Sequence, residues 1–225
     1  MRIANRIVTV VTVLAACLVL SSSFAQGTPK FNELLAKAQA GDVPAQFVVG
    51  SMYDTGLEAP KDSGEAMRWY QRAAEAGHAE AQNSLGSMLQ AEKRYGEALT
   101  WYQRAADQKN AQAANNLGYL YDLGLGVAQD RNQAAKLYLA SANLGWAEAM
   151  WNLANMYGAG QLGAVDLVTA CAWSVRARRY ADPTQKALLS RVDQVLPRLE
   201  QMLSRVQFEE CRHRGDGWSP ESITK

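Results

Sequence analysis

One segment of this chain occurs four times, and that recurrence limits the possible folds more than any other feature. Copies begin at Ala45, Ala81, Ala113 and Ala149, so the starting alanines lie 36, 32 and 36 residues apart. The shorter interval has a local cause, since the second copy lacks four residues in its mid-repeat loop. A unit of this length is one supersecondary motif that cannot bury its own apolar face. Copies must therefore stack on their neighbours, which predicts a solenoid.

Each copy reads as two antiparallel helices. Ala45, Val49, Gly50 and Tyr53 fall on one helical face. Their counterparts are Ala81, Leu85, Gly86 and Leu89, then Ala113, Leu117, Gly118 and Tyr121, then Ala149, Leu153, Ala154 and Tyr157. A glycine inside a helix costs about 1 kcal/mol relative to alanine. Its recurrence at one position implies close approach of the second helix. Gly56, and Gly124 with Gly126, end the first helix by permitting left-handed backbone. Asp62 and Asp130 stand where an N-cap belongs, and Asp62 with Glu65 fits a capping box. The second helix carries Ala66, Trp69, Tyr70, Ala73 and Ala74, repeated as Ala98, Trp101, Tyr102, Ala105 and Ala106. The third copy has Ala134, Leu137, Tyr138, Ser141 and Ala142. In the fourth only Ala170, Trp173 and Ala177 persist. Trp69 and Trp101 read as core.

The layout A-x3-L-G-x2-Y-x2-G-x-G-V-x2-D-x3-A-x2-W-Y-x2-A-A-x2-G resembles the Sel1-like repeat, a relative of the tetratricopeptide repeat. Leu117-Gly118, Tyr121, Gly124, Gly126-Val127, Asp130 and Ala134 carry it most fully. The first copy has Leu57-Glu58-Ala59-Pro60 where Gly-Val would fall, and the second has lost the glycine loop. The resemblance covers roughly residues 38 to 180. It implies an all-α fold, an α-α superhelix solenoid of Sel1-like, tetratricopeptide-like helix pairs, closed by a long C-terminal capping helix.

The expected organisation is a signal segment over 1–25 and an N-terminal capping helix over 26–44. Four repeats follow over 45–180, divided as 45–80, 81–112, 113–148 and 149–180. A C-terminal capping helix over 181–214 and a loose tail over 215–225 complete it. Ala38-x-x-Gly41 parallels Ala74-x-x-Gly77, so the first helix imitates the second half of a preceding repeat. Asp182-Pro183 reads as N-cap and N1 of the last helix. Thr184 to His213 then follows as one amphipathic stretch, kinked or broken at Pro197.

The first residues read as an export signal. Arg2 and Arg6 precede an uncharged apolar stretch from Ile7 to Leu20, and Ser23-Phe24-Ala25 offers a cleavage site before Gln26. That stretch is short for a membrane span. Two alternatives stay open: an uncleaved anchor, and a lipoprotein held through Cys17, since Leu14-Ala15-Ala16-Cys17 resembles a lipobox. Periplasm or secretion is expected after cleavage, with membrane contact only if Cys17 is lipidated. Removing Arg2 and Arg6 from the 23 basic residues leaves 21 against 22 acidic ones. That balance carries no pull toward nucleic acid or anionic membranes. The remaining cysteines, Cys171 and Cys211, form either a disulfide or two separate buried thiols. A bond there would close a loop of 40 residues and stabilise by about 4 kcal/mol on a chain-entropy argument.

Signals for chemistry are few. His78 falls at a turn between copies, where a solvated histidine is expected. His213 follows Cys211 by two, but one cysteine and one histidine do not fill a metal shell. Phosphate-cradling, zinc-protease and nucleophile-elbow motifs are missing from the sequence. No catalytic residue, metal or cofactor is assigned.

In tetratricopeptide-type solenoids the first helices line the concave face. The resemblance therefore places Phe47, Asn83, Asn115 and Trp151 on that face, two residues past each starting alanine. Ser51, Ser87, Tyr119 and Asn155 fall six residues past it. Amides can satisfy both halves of a peptide group, and aromatic residues often anchor interfaces. The implied function is an exported, non-enzymatic adaptor, regulator or immunity-type inhibitor that binds a protein or peptide in its concave groove. A rival is an exported hydrolase or ligand-binding enzyme on the same scaffold. Cysteine-rich members linked to β-lactam binding suggest it, although they carry cysteine pairs within each repeat and copies one to three here have none. A spacer without a discrete partner is the third reading.

Overall fold

The computed structural model describes residues 27–220, and among these every regular element is an α-helix. The expected signal segment, with Cys17 and Ala25, lies outside the described residues. In chain order the helices are α1 (Pro29–Gln39), α2 (Val43–Thr55), α3 (Ser63–Glu75), α4 (Ala79–Ala91), α5 (Tyr95–Asp107) and α6 (Ala111–Leu123). They continue as α7 (Arg131–Asn143), α8 (Ala147–Gly158), α9 (Leu167–Tyr180), α10 (Lys186–Met202) and α11 (Arg205–Asp216). Helices α2 to α9 are the four expected pairs. The chain divides into two compact units, the first ending at Leu85 and the second beginning at Gly86.

In the first unit, α1 packs on α2, and α2 on α3. Thr28, Asp42 and Asp62 cap the three helices, Asp42 Oδ1 accepting from the Ala45 N–H at 2.8 Å. The core gathers Phe31, Ala38, Ala45, Val49, Met52 and Trp69, with Tyr53 edge-on to Phe31 at 5.2 Å. Gly56 closes α2 at φ 78°. The capping box expected at Asp62 forms only in half. Its carboxylate accepts from the Gly64 and Glu65 N–H groups, but its own N–H donates to the Tyr53 carbonyl at 2.9 Å. Glu65 is thereby free to pair with Arg68. Glu58 holds the left-handed conformation, φ 64°, that Gly126 supplies two copies later. Its side chain is tied down by Thr28 Oγ1 at 2.9 Å and Lys30 Nζ at 3.3 Å.

In the second unit the same grammar repeats. The N–H groups of Asp130 and Asp166 donate to the carbonyls of Tyr121 and Tyr157 at 3.0 and 3.1 Å. Asp166 caps α9 through the Thr169 N–H and hydroxyl, at 2.9 and 2.7 Å. The short loop of the second copy turns at Lys93, φ 62°, with Arg94 N–H on the Leu89 carbonyl. Tyr102 and Tyr138 are buried, while Trp101 is only half-buried under the Arg104 guanidinium at 4.7 Å, contrary to its assignment as core.

The recurring glycine has a defined function. A Cβ added at Gly50, Gly86 or Gly118 would lie 2.7, 2.7 or 2.9 Å from the ring of Tyr70, Tyr102 or Tyr138. The ring of the second helix lies in a notch of the first, and only a missing side chain makes room for it.

The C-terminal cap departs from expectation in three ways. Asp182 does not start the helix, because its carboxylate is engaged by the Thr184 N–H and hydroxyl in a local turn, and α10 begins at Lys186. Pro197 lies inside α10 without ending it. The break comes at Leu203, which is extended, and Ser204 opens α11 through a full capping box with Gln207. Residues 215–220 are not a loose tail either: Trp218 packs edge-on to Trp173 and Tyr180 at 5.7 and 5.6 Å, and Gly215 is buried against Val175. Cys171 and Cys211 are bonded, tying α9 to α11 across 40 residues.

Two measurements test these contacts. Gly118→Ala gains helix propensity of about 1 kcal/mol but overpacks the Tyr138 ring, and is expected to lower unfolding free energy by about 1–2 kcal/mol net. A Gly118→Ala protein as stable as wild type in urea would refute the notch. Replacing Cys171 and Cys211 together by serine is expected to cost about 4 kcal/mol, read as a lower denaturation midpoint.

Candidate functional site

The residues assigned to a binding face separate into two classes once their surroundings are seen. In the first unit Phe47 is half-buried, its ring stacked on His78 at 4.8 Å and lying 5.8 Å from Tyr70. Asn83 is only 6% exposed. His78 is not a freely solvated turn residue: its Nδ1 accepts from the Ala81 N–H at 3.3 Å, capping α4. In the second unit Asn115 and Trp151 are each 8% exposed. Asn115 Oδ1 accepts from Asn152 Nδ2 at 2.9 Å and so joins α6 to α8. Trp151 belongs to the core that includes Met150, Leu153, Leu188 and Val192.

The positions two residues past each starting alanine are therefore packed rather than displayed, and the reading of Asn83, Asn115 and Trp151 as exposed is corrected. The periodicity of a single helix cannot reveal this, because what covers these residues comes from outside their own helix. A weak signal existed: Asn115 in one copy and Asn152 in the next are complementary amides at adjacent repeat positions.

Of the positions six residues on, Ser51 is half-buried and the other three behave differently. Tyr119 is 41% exposed, and Ser87 and Asn155 are exposed. Ser87 and Tyr119 share a cavity of about 360 Å³ with Gln90, Tyr102, Gln112 and Asn116, lying between α4, α5 and α6. The Tyr102 hydroxyl lies 3.1 Å from Ser87 Oγ and 3.0 Å from Gln90 Oε1. Burial pushes the Tyr102 phenol above its usual range, against the pull of its hydrogen bonds to Ser87 and Asn116. It stays neutral and acts as a hydrogen-bonding group. The chemistry on offer is amides, hydroxyls and ring faces, which suits a peptide backbone and aromatic side chains.

A second region joins α9 to the cap. Arg176 stacks on Trp173 at 4.2 Å and on Trp218 at 5.1 Å, and its Nη2 donates to the Arg214 carbonyl at 2.7 Å. Burial, then the charge of Arg214, holds its guanidinium below the usual arginine range. With His213 it lines a cavity of about 430 Å³. Cys211 is buried and bonded to Cys171, so its sulfur is not a thiol nucleophile for His213. Among the described residues no group of three or more histidine, cysteine, aspartate or glutamate side chains is placed to hold a metal ion.

Comparison with known proteins bears on the whole constellation. Residues 43–78, 79–110, 111–146 and 147–178 each match the Sel1 repeat, two residues ahead of the boundaries read from the starting alanines. A crystal structure of a protective antigen present in uropathogenic Escherichia coli strains, displaying an SLR fold, superposes with a TM-score of 0.76 at 26% identity. It covers 83% of this chain and 40% of the antigen. A Sel1 repeat protein from Oxalobacter formigenes gives 0.66 at 28% identity, covering 83% and 78% of the two chains. A chitin synthase regulator of Malassezia restricta is 34% identical over 82 residues, which is 32% of this chain and 6% of that one. The chain thus spans a small part of the regulator and less than half of the antigen.

Proposed function

Since this chain belongs to the Sel1 repeat family, whose repeat scaffold is suited to protein–protein interaction, we propose that it is a non-enzymatic adaptor, regulator or inhibitor that works by holding another protein. The single observation that carries this is the display of Tyr119 and Asn155 at the same repeat position of α6 and α8, beside the consensus residues rather than among them. Consensus positions build the scaffold and are occupied by packing. Side chains available to a partner are those the repeat leaves free, and here they are an aromatic ring and an amide.

The location that fits is outside the cytoplasm, as a periplasmic or secreted protein cleaved after Ala25, or as a lipoprotein held through Cys17. The disulfide supports it, because such bonds persist in oxidising compartments, and so does the basic, apolar and small-residue order of the first 25 residues.

The test is partner capture by the purified protein from envelope extracts. Tyr119→Ala combined with Asn155→Ala is expected to lose the retained partner at least tenfold, with the helical circular dichroism signal unchanged. Retention equal to wild type would remove this face from consideration. Asn115 and Trp151 are unsuitable as probes, since truncating either opens the packing around it.

A further inference from the structure

Three repeats fill the notch between their helices with their own tyrosine, and the fourth does not. The rings of Tyr70, Tyr102 and Tyr138 lie on Gly50, Gly86 and Gly118. The Tyr102 hydroxyl then reaches Ser87 and Gln90, one and four residues beyond its glycine. In the fourth repeat the corresponding residues are Ser174 for the tyrosine, Ala154 for the glycine, and Asn155 and Gly158 for the two hydroxyl partners. Ser174 does not reach across, because its Oγ turns back onto the Ala170 carbonyl at 2.9 Å. A cavity of about 410 Å³ lies beside these residues, lined by Ala154, Asn155, Gly158 and Ser174 and faced by Leu199 and Met202 of α10. Met202 is 65% exposed, so the mouth reaches solvent.

We propose that this cavity is a binding site for a tyrosine side chain presented by a partner polypeptide, seated as the chain's own tyrosines are seated in the other repeats. The proposal rests on the protein-binding reading above and names the chemistry that reading leaves open. None of the lining residues is charged, so an ionised side chain entering would lose its hydration without compensation. A flat ring suits the space between two helices that elsewhere enclose one. Asn155 lies where Ser87 meets the Tyr102 hydroxyl, and its amide can donate to or accept from a phenol.

Nuclear magnetic resonance titration of the full protein with N-acetyltyrosinamide tests this, with N-acetylleucinamide as the aliphatic comparison. The tyrosine amide is expected to move the backbone signals of Ala154, Asn155 and Ser174 saturably, and the leucine amide to leave them in place. Ala154→Gly with Ser174→Tyr rebuilds the pair used by the other repeats and should abolish the shifts while preserving helical content. Gly158→Met closes the site from the other side, where an added Cβ meets only the Ala170 Cβ at 3.5 Å, and should abolish them as well. Asn155→Ala should weaken binding about fivefold, the effect of one lost hydrogen bond. No shifts in wild type, or shifts that survive both blocking changes, overturn the proposal. If the rebuilt variant still retains the envelope partner at wild-type level, the tyrosine slot fails and the protein-binding reading stands. If wild type takes up the amide but retains no partner, that reading fails and the polypeptide source of the ring fails with it.

Discussion

A tyrosine ring resting in a glycine notch sets the geometry of each regular repeat. It brings two antiparallel helices closer than any side chain at the glycine would permit, since a Cβ there would lie under 3.0 Å from the ring. That proximity fixes what the connecting loop has to do. The chain leaves the first helix through a left-handed residue and then returns, so that the aspartate opening the second helix gives its N–H to a tyrosine carbonyl of the first. The bond recurs from Asp62 to Tyr53, Asp130 to Tyr121 and Asp166 to Tyr157. Ring, glycine and aspartate occur together in the first and third copies, and the fourth keeps the aspartate bond without the ring or the glycine. The second copy keeps the ring and glycine but dispenses with the long loop, turning instead through Lys93.

Much of this was legible because it is local. Helix pairing, the N-capping aspartates and the left-handed glycines follow from spacings within about twenty residues, and the glycine's purpose followed from its recurrence in a helix that it otherwise weakens. The burial of the residues expected on a binding face was not legible, because exposure is a property of neighbours. Asn115 reads as a free amide until Asn152 of the next repeat is placed against it. Trp151 reads as an anchor until Leu188 and Val192 join its cluster. The C-terminal cap misled for a related reason. Pro197 is the stronger breaker in isolation, but Ser204 and Gln207 offer a reciprocal cap, so the chain begins a new helix there. Glu58 adopts the backbone of a glycine while Thr28 and Lys30, 30 and 28 residues earlier in the chain, hold its carboxylate.

The fourth repeat gains interest from its departures. By the consensus it is the degenerate copy, with alanine for glycine and serine for tyrosine. These two losses are coupled, because the ring and the notch have meaning only together. Its loop anchor at Asp166 and its core at Trp173 and Ala177 are intact, so the scaffold has not decayed. A repeat array in which copies share one scaffold can vary the space between helices in one copy while the others keep their packing.

The bond between Cys171 and Cys211 encloses all of α10 and the corner at Leu203 and Ser204. Exposed corners between helices are where proteases usually cut. A cut at this one would not release the end of the molecule. Both pieces would remain joined through the sulfurs, with Trp218 still anchored on Trp173, so the chain could be severed there and keep its terminal helix in place.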